Sequence, residues 1–229
     1  SATAEAPPPE VGTAALREAA ARGDAKAQFL VASRYLDGDG VEQDVTKAAH
    51  WYQLAASQGL PPAQYRVATL FERGKGVDKD VATAAVWYER AAAGGNVKAM
   101  HNAAVIAASS ELGTPDYDKA FRLFKQAADR GLQDSEFNLA VLYERGLGTE
   151  VNLTEALFWY SMAATNNDAD AGKRAGTIAA KLKPEEVAAV KARVDSWKPV
   201  AADTDANMVT VTDPAWKTGS ASKPPSTPD

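Results

Sequence analysis

Arg66 and Arg73 stand seven residues apart, and so do Asn138 and Arg145. On a helix that step returns to the same face two turns on. Arg66, Asn102 and Asn138 are themselves separated by 36 residues, in a column that begins at Leu30. A second column on the same face reads Asp37, Arg73, Ser109, Arg145. Guanidinium forks and carboxamides paired in this way bind carboxylates, which is the chemistry of a peptide or a glycan stem peptide. Arg66, Arg73, Asn102, Asn138 and Arg145 are therefore the candidate partner-binding residues. The plainer alternative is a solvated charged face whose arginines pair locally with Glu72 and Glu144.

Residue types that could carry a reaction are sparse. His101 shares a register with Phe29, Tyr65 and Phe137, a slot that otherwise holds an aromatic ring, so it reads as a packed histidine. His50 falls at a variable, surface-like position, beside Val86, Arg122 and Phe158 in register. Neither has a cysteine or carboxylate at ligand spacing, such as H-E-x-x-H. The paired glycines Gly38/Gly40 and Gly74/Gly76 look superficially like phosphate cradles, but they recur as inter-helix turns. Glu185-Glu186 and Asp168/Asp170 sit where a first helical turn favours acids. Asn152-Leu153-Thr154 matches a glycosylation sequon, yet Asn152 reads better as a helix cap. No nucleophile–base pair and no nucleotide fingerprint is present. The sequence thus assigns no catalytic residue, no cofactor and no metal.

The elements that must position these residues follow from the 36-residue period. Ala27, Ala63, Ala99, Ser135 and Ala171 share one register, and Tyr52, Tyr88, Phe124 and Tyr160 another. A period of this length means stacked supersecondary units, each too small to bury its own apolar face. Each unit resolves into two helices. The first begins near Asp24 and ends at a glycine turn. The second begins near Asp44, with Asp80, Asp116 and Asn152 equivalent to it as N-cap types. Gly59, Gly95 and Gly131 follow the second helices, with Asn167 in the fourth, where a left-handed residue is wanted. The Trp/Tyr pairs at 51/52, 87/88 and 159/160 read as core.

The reading is all-α: a right-handed α/α superhelical solenoid of about eleven helices over residues 12–197. Its repeats span about 24–59, 60–95, 96–131 and 132–167, and a capping helix pair spans 168–197. Residues 1–11 read as a Pro-rich linker, extended and unpacked. Residues 198–229 read as a mostly disordered tail with a short extended segment at 207–216. Trp216 in that tail lies outside the repeat register. It is expected to anchor the tail back on the helices, the alternative being an anchor for a partner.

A net charge of −5 with intermixed signs argues against nucleic-acid binding, which needs a basic footprint. The chain has no cysteine, which removes disulfides and thiolate chemistry. No run of 18 apolar residues could span a bilayer, so membrane attachment is expected only through a segment upstream. The chain begins with Ser rather than Met and reads as a cut fragment.

The runs AQFLVASRYLDGDGVEQDVTKAAHWYQLAA from Ala27, AQYRVATLFERGKGVDKDVATAAVWYERAA from Ala63 and SEFNLAVLYERGLGTEVNLTEALFWYSMAA from Ser135 carry a resemblance. They resemble the Sel1-like repeat family, α/α solenoids related to tetratricopeptide repeats. The third repeat departs from that pattern: Ser110-Glu-Leu-Gly113 replaces the glycine loop, and Leu123-Phe124 replaces Trp-Tyr. The segment GNVKAMHNAAV from Gly95, the Pro-rich flanks and the last helix pair are also similar to the C-terminal region of alphaproteobacterial polar localisation factors. That likeness implies a non-catalytic periplasmic scaffold module of a single-span inner-membrane protein. It would bind a protein or peptide partner, or peptidoglycan, through the concave face. A related family implies a periplasmic regulator that binds a sensor kinase. A cell-wall-acting enzyme is the third reading. Sel1-like proteins linked to β-lactam recognition are cysteine-rich, unlike this chain.

Overall fold

Short polar residues start the helices. Asp24, Asp44, Asn96, Asp116, Asn152 and Asp168 each accept, through the side chain, a backbone N–H of the first turn of the helix that follows. Each such bond satisfies one of the amides that a helix start leaves without an intrahelical partner. Left-handed glycines end the first helices of three repeats, at Gly38, Gly74 and Gly146. Two or three residues beyond each second helix a further residue has positive φ, at Gly59, Gly95, Gly131 and Asn167, the last at 66° and the one non-glycine with positive φ among the described residues.

A computed structural model describes residues 4–217. Among them it contains helices and turns but no strand. Helix α1 spans Ala14–Ala21, α2 Ala25–Asp37, α3 Val45–Ser57, α4 Pro61–Arg73, α5 Val81–Ala93 and α6 Val97–Ala108. Helix α7 spans Tyr117–Asp129, α8 Gln133–Arg145, α9 Leu153–Ala164, α10 Ala169–Ala179, α11 Pro184–Ser196 and α12 Thr204–Asn207. The backbone divides into two compact units, one running to Ala84 and joined by the segment from Met208, the other Ala85–Asn207. The sequence reads as one unbroken array, and the division falls inside α5.

In the first unit α1 packs on α2, α2 on α3 and α3 on α4. Its core holds Val31, Ala32, Tyr35, Trp51, Tyr52 and Val67. In the second unit α6 packs on α7, α7 on α8 and α8 on α9, and both α10 and α11 close against α9. Its core centres on Phe124, Leu139, Phe158, Trp159 and Tyr160. Many interior positions are alanine, which costs nothing in side-chain entropy and lets helices approach closely.

One backbone hydrogen bond recurs across the loop inside each of the four repeats. Asp44 N donates to Tyr35 O, Asp80 N to Phe71 O, Asp116 N to Ala107 O and Asn152 N to Tyr143 O, at 2.8–2.9 Å. The third repeat keeps this closure although its first helix ends at Ser109 in extended conformation. Gly76 and Gly148 show why the other loops need glycine. Each has positive φ, and a Cβ there would collide with the backbone carbonyl of Val45 or Tyr117. Leu112 takes that register in the third repeat and is 51% exposed.

Both ends depart from the sequence reading. Residues 4–11 are not unpacked. Val11 is buried in a 3-10 turn over Pro9–Val11, and its carbonyl accepts from Arg34. Arg17 donates to the carbonyls of Gly12 and Pro7. Pro-rich composition signals extension, but these arginines supply partners for its free carbonyls. The tail to Lys217 is likewise placed. Val200 N donates to Asp129 O, and Asn207 Oδ1 accepts from Val97 N at 2.8 Å. Residues 208–213 form no regular element, and Pro214–Trp216 is a 3-10 turn. Residues 218–229 of the expected tail lie outside the described residues.

Candidate functional site

The polar columns sit on α4, α6 and α8, the first helices of their repeats. In the first unit Arg66 and Arg73 line one cavity of about 270 Å³ between α2, α3 and α4. Leu36, Leu70 and the Tyr52 ring form its apolar walls, and Lys75, from the turn after α4, joins the arginines at its rim. The Tyr52 hydroxyl is hydrogen-bonded to Ser33 Oγ at 2.8 Å. Burial raises the Tyr52 phenol above its ordinary pKa, while Ser33 and the charge of Arg66 pull it down and Asp37 pushes it up.

In the second unit Asn138 and Arg145 line a cavity of about 280 Å³ with Val141, Leu147, Phe124 and Tyr117. Its register is that of the first cavity: Asn138, Val141, Leu142, Arg145 and Leu147 each lie 72 residues beyond Arg66, Thr69, Leu70, Arg73 and Lys75. The Asn138 amide donates to Asp134 O at 2.9 Å. Asn102 is half-buried on α6 and lines neither cavity. Each seven-residue pair is thus brought together within its own unit.

The local pairing with Glu144 does not form. Glu144 Oε2 accepts from the Tyr160 hydroxyl at 2.6 Å and from Arg174 at 3.4 Å, which leaves Arg145 outside that pair. Arg174 also donates to the Tyr160 oxygen and lies over the rings of Phe137 and Tyr160, 5.7 and 5.8 Å from their centroids. Sequence reasoning missed Arg174. The signal was available, since it stands 36 residues past Asn138 in the Arg66 column.

His101 takes the ring position its register predicts. It meets Phe124 edge-on at 5.6 Å, as Phe29 meets Tyr52 and Phe137 meets Tyr160. Its Nδ1 is 2.8 Å from Ser135 Oγ. Burial lowers its pKa, with Asp134 acting in the opposite sense. Asp134, Asp168 and Asp170 line a cavity beside it, but no group of three or more ligating side chains among the described residues is arranged to hold a metal ion. Among the described residues no helix is long and apolar enough to cross a membrane. At the other end of the chain the turn Pro214–Trp216 packs on α1, and the Thr13 hydroxyl donates to Ala215 O at 2.6 Å. Trp216 itself is half-buried.

Comparison with known proteins agrees with this architecture. The Sel1 repeat model matches residues 25–60, 61–96, 97–132 and 133–168. A Sel1 repeat protein from Oxalobacter formigenes is 34% identical, with a TM-score of 0.65 over 71% of this chain and 47% of its own. A protective antigen of uropathogenic Escherichia coli, displaying an SLR fold, is 30% identical, with a TM-score of 0.67 over 72% of this chain and 35% of its own. The DAP3-binding cell death enhancer 1 of Rattus norvegicus is 38% identical over 63 residues, which is 28% of this chain and 12% of that protein. The chain therefore spans less than half the length of each of these relatives. With four family units following one another from residue 25 to residue 168, the chain belongs to the Sel1 repeat family, α/α solenoids that are typically non-enzymatic protein-interaction modules.

Proposed function

We propose that the chain is the interaction module of a bacterial polar localisation scaffold, that it works in the periplasm, and that it holds a protein partner or a peptidoglycan peptide on its first-helix face. The observation that carries the reading is the recurrence of one cavity at one register in each unit, lined both times by the polar pair that the helical columns single out. A backbone frame repeated with altered lining is how solenoids make binding surfaces. The scaffold and its compartment rest on the likeness of Gly95–Val105 and the flanking segments to polar localisation factors.

The test uses Arg66→Ala combined with Arg145→Ala in the full-length gene product. Co-sedimentation with isolated sacculi and crosslinking to periplasmic neighbours are expected to weaken, while the melting temperature stays near wild type. Wild-type binding by the double variant, or an equal loss of binding and melting temperature, would refute this use of the face. Turnover of labelled peptidoglycan by the wild-type protein would move the reading to an enzyme.

A further inference from the structure

Two cavities built at one register on one backbone frame invite comparison of their linings. Along α4 and α8 and the turn after each, the first reads Arg66, Thr69, Arg73, Lys75 and the second Asn138, Val141, Arg145, Leu147, so that three of the four positions differ and the arginine at 73 and 145 is kept. Both α4 and α8 end in the same left-handed glycine turn, so over these four positions the difference is chemical. The first has three cations and a hydroxyl where the second has one cation, an amide and two aliphatic chains.

The three cations of the first cavity are not held by the fold. Among the described residues, Arg66, Arg73 and Lys75 form no side-chain hydrogen bond or ion pair, and all three are exposed. No carboxylate among the described residues lines the cavity. Asp37, the acid whose charge reaches Tyr52, lies outside the lining. Three like charges around one opening repel one another without an internal counter-ion, and a chain of net charge −5 has acids to spare for pairing them. The walls of Leu36, Leu70 and Tyr52 add apolar surface for the stem of a side chain, and about 270 Å³ is room for one such group.

We infer that the cavity between α2, α3 and α4 is an anion receptor that takes the carboxylate of an Asp or Glu side chain from the partner polypeptide. This rests on the interaction-module reading. Guanidinium groups suit the planar carboxylate through paired N–H donors, and Lys75 adds a point charge. The negative molecule as a whole repels an acidic peptide, so binding has to be local. The Asn138–Arg145 cavity is the internal control, because it has the same frame with one cation.

Nuclear magnetic resonance of the arginine Nε–H groups in the full chain tests the assignment. The probes are an acetylated, amidated Gly-Glu-Glu-Gly peptide, its Gln-Gln counterpart and inorganic phosphate. The Glu peptide is expected to shift Arg66 and Arg73 saturably, to leave Arg145 nearly unmoved, and to act at concentrations at least several-fold lower than the Gln peptide. The variant Arg66→Gln, Arg73→Gln, Lys75→Gln, melting as wild type, is expected to lose saturable binding of that peptide. Absence of shifts, equal shifts from the Gln peptide, or a shift of Arg145 as large as that of Arg66 would overturn the receptor. Phosphate acting at lower concentration than the Glu peptide would overturn the side-chain carboxylate as its ligand. If the triple variant still captures the partner that wild type captures, the interaction module stands and this cavity has no part in it.

Discussion

Glu136 is 2% exposed, and its Oε2 has no hydrogen-bond partner among the described residues. Burial pushes its carboxyl from an ordinary value of 4.5 up to about 7. The register shows what the site is built for. Gln28 and Gln64 occupy it in the first two repeats, where their amides donate to the carbonyls of Ala20 and Ala56, at 3.1 and 3.3 Å. Each carbonyl lies eight residues upstream, at or near the end of the preceding helix. The same step from Glu136 reaches Ala128 O, near the end of α7, which already accepts from Gly131 N. A protonated carboxyl can donate to such a carbonyl as glutamine does. An ionised one cannot, and it also faces the negative end of a helix.

The sign follows. With its folded pKa raised, Glu136 keeps a proton that the unfolded chain releases between about 4.5 and 7. Its effect on stability is least harmful below that window, worsens as pH rises through it, and is constant above. A rise from 4.5 to about 7 corresponds to roughly 3 kcal/mol at about 1.4 kcal/mol per unit. Glu136→Gln removes the titration and restores the donor. At pH 8 it is expected to stabilise by roughly 3 kcal/mol, about 6–12 °C in melting temperature for a chain of this size. The gain should shrink towards pH 4.5. Helical circular dichroism melts of both proteins from pH 4.5 to 8 measure it. His101 titrates in the opposite sense, since burial lowers its pKa and costs stability as pH falls below 6.5. It is present in both proteins, so the difference between them isolates Glu136. Parallel pH profiles, or a less stable Gln variant at pH 8, would refute the reasoning.

Trp51 is 6% exposed in the first unit's core, and Trp51→Ala is expected to cost about 3–5 kcal/mol as a large-to-small truncation. An unchanged urea midpoint would place it outside the core. Asn207 Oδ1 accepts from Val97 N at 2.8 Å and so caps α6 from 110 residues away. Asn207→Ala is expected to cost about 1 kcal/mol, as other lost caps do, and to speed amide exchange at Val97. Unaltered exchange there would mean the tail contact carries no stability.

What was legible in the sequence is what the backbone repeats. Asp44, Asp116 and Asn152 could be read as caps because a cap is a local decision between one side chain and the next turn. Asn167 could be read as left-handed for the same reason. The seven-residue pairs were legible because a helix fixes which residues share a face. The ends were not. Nothing in the composition of residues 1–11 indicates that Arg17 and Arg34 wait for its carbonyls. Nothing local to Asn207 indicates that it will meet Val97 N. Trp197 belongs with them: outside the register, it meets Trp159 at 6.2 Å and helps close the end of the second unit. These are contacts between distant segments, and period and propensity carry no information about them.

The same division explains where specificity can reside. The loop-closing bond to residue 44 or its equivalent joins two backbone groups, and the left-handed glycines answer to φ and to close approach. None of these depends on the side chains at 66, 69, 73 and 75, which face the cavity and not the core. Those positions can change without unsettling the frame, as the equivalents Asn138, Val141 and Leu147 do around an equally closed loop, with Arg145 keeping the arginine. Register 136 is different. It is buried, and its side chain belongs to the junction between successive helices, so a substitution there moves stability rather than binding. Charge reversal at Arg73 and neutralisation at Glu136 should therefore separate cleanly, the first changing affinity at constant melting temperature and the second changing melting temperature at constant affinity. If Arg73→Glu instead lowered stability as much as it lowered binding, the frame and its lining would not be independent, and the argument from register would fail.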